Sequence, residues 1–450
     1  MATLPQPELF SWEQMEASSD LKRLELMLSA IPDEAFMQTL EAERKGRRDD
    51  YPIRVVWNSI LAGVVFQHPS IESLRRELLR NAELRQACGF NPLKGDLAVP
   101  PKWVYSRFLG KLFEHQSAID EMFGILVERL RKLLPGFGRH LAIDSKAVPT
   151  WAKGKKDSKK SGDPDADWGK KIYRGTREDG TPWEKVKSWF GYKVHLIVDA
   201  DYELPLAYEI TQASQSDQTY LTPMVEKLEK NHKELVEEAQ SISGDKGYDS
   251  EDNIKTLWDE YELKPVIDIC HKWKDEPNSP RPLYPDRVDT IFYDQDGRVL
   301  CRNLDTDDES RNYASMTFQG FEKDREGLKY RCPMRAMGVA CTQQEICNGG
   351  EHTDHGRIVR IPLEEDRRLH TPMARGTYAW QREYKKRTSV ERVNSRLDVS
   401  FGFERHFIRR KKKIKARMGL ALVVMLAMAV GWIESGEPEK MRSLVQPRAA

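Results

Sequence analysis

Cysteine is scarce. Six in 450 residues cannot make the disulfide framework of a small secreted scaffold, so a reducing, cytoplasmic setting is expected. Met1 to Asp20 has no basic start followed by an apolar core, so no secretory leader is expected there. Low-complexity tracts are missing, and 39% hydrophobic with 32% charged residues describes an ordinary folded chain. Neither sign of charge is in excess, since 72 Lys and Arg balance 71 Asp and Glu. The one prominent apolar run, Met418 to Ile433 (MGLALVVMLAMAVGWI), follows a basic stretch as a membrane anchor would. It is short of the roughly 20 residues a bilayer needs. A helix buried against a sheet is expected instead, with no membrane partner.

What is present is charge in clusters. Lys153 to Lys160 reads KGKKDSKK, and Arg405 to Arg417 reads RHFIRRKKKIKAR without an acid; acid gathers elsewhere, as in Asp305 to Glu309. Clustered cations in a near-neutral protein point to contact with a polyanion, with Arg409, Arg410 and Lys411 as candidate DNA contacts. A solvated charged surface is the plainer alternative.

The length allows two or three domains. Residues 1–135 read as a helical domain. Apolar residues at three-and-four spacing mark Leu21–Ile31, Arg54–Phe66, Ile71–Cys88, Trp103–Phe113 and Ser117–Leu134, with prolines between them. Ile71 to Phe113 has the outline of a helix-turn-helix whose second helix offers Lys102, Arg107 and Lys111 to a DNA groove; plain helical packing is the alternative.

From His140 the pattern changes. His140–Asp144 (HLAID), Gly191–Asp199, Leu204–Thr211, Ser241–Asp245 and Pro265–Ile269 read as strands, and Tyr220–His232 and Glu251–Tyr261 as helices. That order describes an α/β mixed sheet flanked by helices. Residues 270–372 are turn-rich and β-flavoured, with strands expected at Val288–Phe292, Arg298–Arg302, Ala314–Phe321 and Arg357–Ile361; they form an insertion before helical periodicity returns. The sheet domain therefore comprises 136–269 and 373–435, leaving 436–450 as a tail.

Three carboxylates stand out by position. Asp144 ends the first strand. Asp245 ends a later one, in SGDKGY, where Gly247 is expected to permit a sharp turn. Glu391 lies in the pattern Tyr384-x-x-Arg387-x-x-x-Glu391, whose spacing stacks the three side chains on one helix face. Aspartates at neighbouring strand ends can share a metal ion, and a helix beside the sheet can add the third ligand. An arginine one turn from such a ligand grips phosphate bidentately. Phosphodiester cleavage needs an activated water and a stabilised leaving oxygen, and two hard cations on oxygen ligands supply both.

These elements resemble insertion-sequence transposases of the DDE superfamily. The matching stretches are AIDSK (Ala142–Lys146), GYKVHLIVD (Gly191–Asp199), GDKGYDSEDN (Gly244–Asn253) and YKKRTSVERVNSRL (Tyr384–Leu397). The likeness covers about 140–269 and 378–433 well, and the N-terminal helices more loosely. It implies a ribonuclease-H-like core with a helical N-terminal domain and a β-rich insertion before the last catalytic helix. Asp144, Asp245 and Glu391 would be catalytic metal ligands, with Tyr384 and Arg387 as DNA-contacting members of the helix signature. It further implies the transposase of a bacterial insertion sequence, using Mg2+ with Mn2+ as a substitute. Such an enzyme works as a homodimer on double-stranded DNA, cutting element ends and joining a 3′-hydroxyl to target DNA. A nuclease without strand transfer and a catalytically degenerate DNA-binding derivative are the alternatives. One departure is plain: such helices carry a lysine seven residues after the glutamate, and here the position is Asp398. Lys411 to Lys413 or Arg405 are nearby cations that could substitute.

Cys301, Cys332, Cys341 and Cys347 fall in the insertion but lack a close C-x-x-C pair, so free thiols rather than a zinc site are expected. His195 reads as structural. Trp151, Trp168, Trp183 and Trp189 lie among basic residues and either stack on unpaired bases or pack in the core.

Overall fold

The apolar run Leu141-Ala142-Ile143 is fully buried, as a strand covered on both faces must be. It belongs to β1 (His140–Pro149), at the centre of a mixed sheet. The computed structural model describes residues 19–45, 51–270, 273, 279–302, 313–338, 341, 343, 347, 356–404 and 406–444. On one side β1 pairs antiparallel with β3 (Pro182–Asp199), which pairs antiparallel with β4 (Leu204–Gln212). On the other it pairs parallel with β5 (Ser241–Gly244), which pairs parallel with β6 (Lys264–Ile267). The expected α/β mixed sheet is therefore present. Two features exceed the expectation. β1 runs on past Asp144, because β3 pairs with it as far as Pro149↔Gly191. The first half of β3 also pairs with β2 (Asp167–Thr176), making a ribbon beyond the sheet.

Ahead of the sheet come α1 (Ser19–Ala30), α2 (Glu34–Ala42), α3 (Ile53–Val65), α4 (Ile71–Arg80), α5 (Ala82–Ala87), α6 (Lys102–Leu112) and α7 (Gln116–Leu133). The stretch Ile71–Cys88, expected as one helix, divides at Asn81. Its backbone is extended there, and its side chain accepts from the Leu84 amide at 2.9 Å, capping α5. Between the parallel strands lie α8 (Leu221–Asn231), α9 (Lys233–Glu238) and α10 (Glu251–Asp259), followed after the insertion by α12 (Tyr378–Lys385), α13 (Thr388–Val399) and α14 (Lys411–Glu434).

By length and composition alone α14 could cross a membrane, yet 89% of its most apolar window is buried inside the fold. A helix apolar all round belongs in a core, where each large aliphatic side chain gains about 1.5–3 kcal/mol. It packs on β4, as expected, and also on α7, α1 and α3. Its glycines make that possible: a Cβ at Gly419 would lie 2.5 Å from the Tyr208 hydroxyl, and one at Gly431 2.8 Å from the Leu26 carbonyl. Through α14 the N-terminal helices and the sheet share one continuous core.

The insertion holds two small sheets. One comprises β7 (Arg281–Pro282), β8 (Ile291–Tyr293), β9 (Val299–Arg302) and β10 (Tyr313–Ser315). The other comprises β11 (Thr317–Glu322), β12 (Gly327–Arg331) and β13 (Ile358–Pro362), with α11 (Pro333–Ala336) after β12. The run Ala314–Phe321, expected as one strand, is split: buried Met316 separates β10, which pairs with β9, from β11, which pairs with β12. Trp258 of α10 joins the insertion's own core and docks it to the flank of the main sheet.

Candidate active site

The parallel register of β1 and β5 sets Ile143 opposite Gly244. Asp144, within β1, and Asp245, directly after β5, therefore lie side by side at the same level, both half-buried. Burial pushes the Asp144 carboxyl up to about 6, opposed by the Ser145 amide and Lys171 and reinforced by Asp245 and Asp217. The amide of Ser145 donates to Asp144 Oδ1 at 2.7 Å. Gly244 has no room for a side chain beyond van der Waals contact, with Ile143 3.2 Å from where its Cβ would lie. Gly247 does not act as expected. It sits in a short 3-10 turn, Lys246–Tyr248, without the positive φ that demands glycine; its open side instead faces Asp217 Oδ2 at 4.0 Å.

Asp217 and Tyr248 escaped sequence reading. Asp217 is held by Lys193 Nζ at 2.8 Å, and Lys193 also donates to the Gln215 carbonyl at 2.8 Å. Tyr248 is buried; burial and the charges of Asp217, Asp144 and Asp245 raise its pKa, so its phenol stays protonated. The only local hint was a lone aspartate between β4 and α8, in SQSDQTY. His195 is fully buried, shares a hydrogen bond with Thr211 at 3.0 Å and stacks on Tyr220, and burial lowers its pKa to about 4. It has a structural role.

Glu391 reaches this region on a helix that is not continuous. Between α12 and α13 the amides of Lys386 and Arg387 bond three residues back, to Glu383 and Tyr384, tightening one turn. The signature nonetheless stays stacked: Arg387 lies over the Tyr384 ring at 5.5 Å, and its Nη1 donates to Glu391 Oε1 at 2.6 Å. Burial works against the Arg387 charge, but Tyr384, Glu391 and Asp245 outweigh it and raise its pKa. The guanidinium thus holds Glu391 and feels the charge of Asp245.

Two contacts fix how this segment runs. Glu383 of α12 meets His140 Nδ1 at 2.7 Å and accepts from Ser241 Oγ at 2.6 Å, at the starts of β1 and β5. Asp398, near the end of α13, pairs with Lys146 on the far part of β1. The strand span His140–Lys146 is about 20 Å. The helical span Glu383–Asp398 is about 22 Å. The lengths agree, so the helical segment runs alongside β1 in the same direction. Glu391, near its midpoint, is level with Ile143 and Asp144.

Among the described residues no three His, Cys, Asp or Glu side chains stand as a closed metal-binding group, and Glu391 is half exposed and turned to Arg387. The donor chemistry fits a divalent cation all the same. Two half-buried carboxylates side by side, with Asp217 adding negative potential, are hard oxygen ligands whose repulsion a cation would relieve.

The proposed DNA contacts are scattered. Lys102, Arg107 and Lys111 are exposed on α6, but Lys111 is engaged by Glu43 at 3.0 Å and Arg107 lies over the Trp103 ring. Arg409, Arg410 and Lys411 are exposed at the start of α14, while Arg405 lies outside the described residues. The residues that flank the first basic run hold the second: the Trp151 amide donates to the Ile408 carbonyl, and buried Asp163 accepts from Thr150, Tyr192 and the Arg410 amide at 2.6, 2.8 and 2.7 Å. In the insertion, Cys301, Cys332, Cys341 and Cys347 are free thiols, and Cys347 Sγ shares a hydrogen bond with the Thr290 hydroxyl at 3.1 Å.

No curated protein matches the chain. Among solved structures it is similar to the piggyBac transposase in a cryo-EM synaptic complex with hairpin DNA, at 12% identity over 97% of this chain and 79% of that one, with a TM-score of 0.37. The transposase DDE domain family matches residues 135–427, which include β1, β5 and α13 with Asp144, Asp245 and Glu391. Since that is well over half of its length, the chain belongs to the transposase DDE domain family.

Proposed function

We propose that the chain is the transposase of a bacterial insertion sequence, acting in the cytoplasm on double-stranded DNA as a homodimer. It hydrolyses a phosphodiester at the element end and then uses the freed 3′-hydroxyl to attack target DNA. The register of β1 against β5, with Asp144 beside Asp245, is the observation that supports this most. A mixed sheet with one antiparallel strand between helical layers supports the ribonuclease-H-like reading of the core.

Asp144, Asp245 and Glu391 would hold the divalent ions, Mg2+ or Mn2+, which when bound supply an activated nucleophile and a stabilised leaving oxygen. The chain's own residues do the positioning. Arg387 pairs with Glu391 in the absence of DNA and offers its fork to a backbone phosphate once Glu391 turns to its partners. Tyr384 backs the guanidinium with its ring. Lys102, Arg107 and Lys111 of α6, with Arg409, Arg410 and Lys411, would neutralise phosphates further out. The division into an end-binding helical region (1–135), catalytic core (136–269, 373–435) and insertion (270–372) follows this reading.

The test is magnesium-dependent cleavage and joining of the element's own ends by wild type and by Glu391→Gln. Wild type should cleave and join, and the variant should bind but do neither. Equal cleavage by both proteins overturns the assignment of Glu391; nicking without joined product makes the enzyme a nuclease.

A further inference from the structure

The β2–β3 ribbon is the largest feature the proposed chemistry leaves unused. Side chains alternate along it, and cross-strand partners share a face. One face carries, rung by rung, Gly169 with Trp189, Lys171 with Lys187, Tyr173 with Lys185, and Gly175 with Trp183. No acid occurs on those rungs. Of the ribbon's acids, Glu178 and Asp179 are confined to its turn, Glu184 belongs to the opposite face, and Asp167 stands at the base of this face, opposite Gly191. Lys171, Tyr173, Trp183, Lys185 and Lys187 are exposed, and among the described residues the three lysines have no ion-pair partner.

Two details indicate a surface prepared for a ligand. The indoles of Trp189 and Trp183 lie across Gly169 and Gly175, where a Cβ would come within 2.5 and 2.6 Å of the ring, so glycine lets each ring lie against the ribbon and hold its place. Lys171 stands directly opposite Lys187, a like-charge pair that weakens a free two-stranded ribbon. Lys171 lies over the Tyr173 ring at 5.9 Å, but among the described residues neither lysine has an ion-pair partner, and a phosphate bound between them would relieve the repulsion. The ribbon is also continuous with the candidate site: β3 passes from it into the core beside β1, and the Lys171 charge acts on Asp144.

We propose that this face of the β2–β3 ribbon is a nucleic-acid arm that holds an unpaired DNA strand next to the carboxylate cluster. Bases stack on Trp183, Tyr173 and Trp189, and Lys171, Lys185 and Lys187 bind the phosphates. Interleaved rings and cations match single-strand recognition, in which stacking is tolerant of sequence and phosphate pairing is salt-dependent. The inference rests on the transposase reading, because strand cleavage and hairpin or flank opening are what expose unpaired bases beside the site.

The experiment uses the full chain and a fluorescein-labelled 30-nucleotide single strand of mixed sequence, with its duplex as comparison. Anisotropy titrations at several salt concentrations compare wild type, the triple variant Lys171→Glu/Lys185→Glu/Lys187→Glu, and Tyr173→Ala/Trp183→Ala. The triple variant should lose tenfold or more in single-strand affinity, and its salt slope should fall by about 2, from about 0.7 per phosphate contact. The aromatic variant should lose about tenfold per ring on the single strand and much less on the duplex. All substitutions are at exposed positions, so unfolding midpoints serve as the folding control. Unchanged single-strand affinity in both variants overturns the proposal, as does a switch of wild-type dimer to monomer without change in DNA affinity, which would make the ribbon a contact between copies. If the variants lose affinity while wild type never cleaves DNA, the arm stands and the catalytic reading fails.

Discussion

Lys146 of β1 is salt-bridged to Asp398 of α13, seven residues after Glu391. A positive charge thus stands on the strand, two residues beyond Asp144, and is held by the helix. The pair is largely buried, with side-chain exposures of 13% and 31%. Asp398→Lys should cost about 2–3 kcal/mol by leaving two cations together. The swap Lys146→Asp/Asp398→Lys should recover most of that loss in a denaturant-unfolding cycle. A double variant no more stable than Asp398→Lys alone would show that the two charges are not coupled.

Asp144 should trade stability for function. Its folded pKa of about 6 exceeds the ordinary 3.8, so it binds a proton more tightly folded than unfolded. Its contribution favours the fold below pH 3.8 and is lost as pH rises through 6. At pH 7.5 without metal, Asp144→Asn should be more stable by on the order of 1–3 kcal/mol, and this advantage should vanish near pH 4. Calorimetry in chelator at both pH values checks this; identical midpoints at pH 7.5 contradict it. DNA cleavage should decline as pH falls through 6, because only the carboxylate is a ligand.

Glu383 should behave in the opposite way. Burial works to raise its pKa, but hydrogen bonds from His140 and Ser241 hold it down at about 2. Its stabilisation is present above pH 4.5 and is lost as pH drops towards 2. Glu383→Ala should cost about 2–4 kcal/mol at neutral pH and much less at pH 3. It should also slow cleavage, since one of the two pins of the helical segment carrying Glu391 is gone. Loss of stability with full cleavage rate would refute the pin.

Gly431→Leu should be among the most damaging substitutions far from the carboxylates. Its Cβ would meet the Leu26 backbone of α1, which cannot rotate away as a side chain can. Overpacking of about 1–3 kcal/mol or more is expected. Limited proteolysis should show α1 released first, because α14 is its main support. Wild-type protease resistance in this variant would mean that the α1–α14 contact is not tight.

Much of the site was legible because its patterns are local. Short apolar runs marked β1, β5 and β6, and a carboxylate directly after a buried run singled out Asp144 and Asp245 as candidates. The Tyr384–Arg387–Glu391 stacking follows from spacing alone and survives the tightened turn between α12 and α13. The β2–β3 ribbon was missed because it has little apolar patterning to detect. Its side chains face water on both sides, so burial imposes no alternation.

By itself the sequence determined where the buried runs stop and which residues share a helix face, since those depend on neighbours within a few positions; that β1 continues past Asp144 was decided by its pairing with β3. Tertiary structure alone decided that Asp217 pairs with Lys193 and faces Gly247, that Lys146 answers Asp398, and that Glu383 anchors α12 to two strands. It also decided that Asp163 ties Thr150 to Arg410 of the second basic run. The reason is physical: backbone periodicity is written along the chain, whereas a charge finds its partner wherever folding brings an opposite one within a few ångströms.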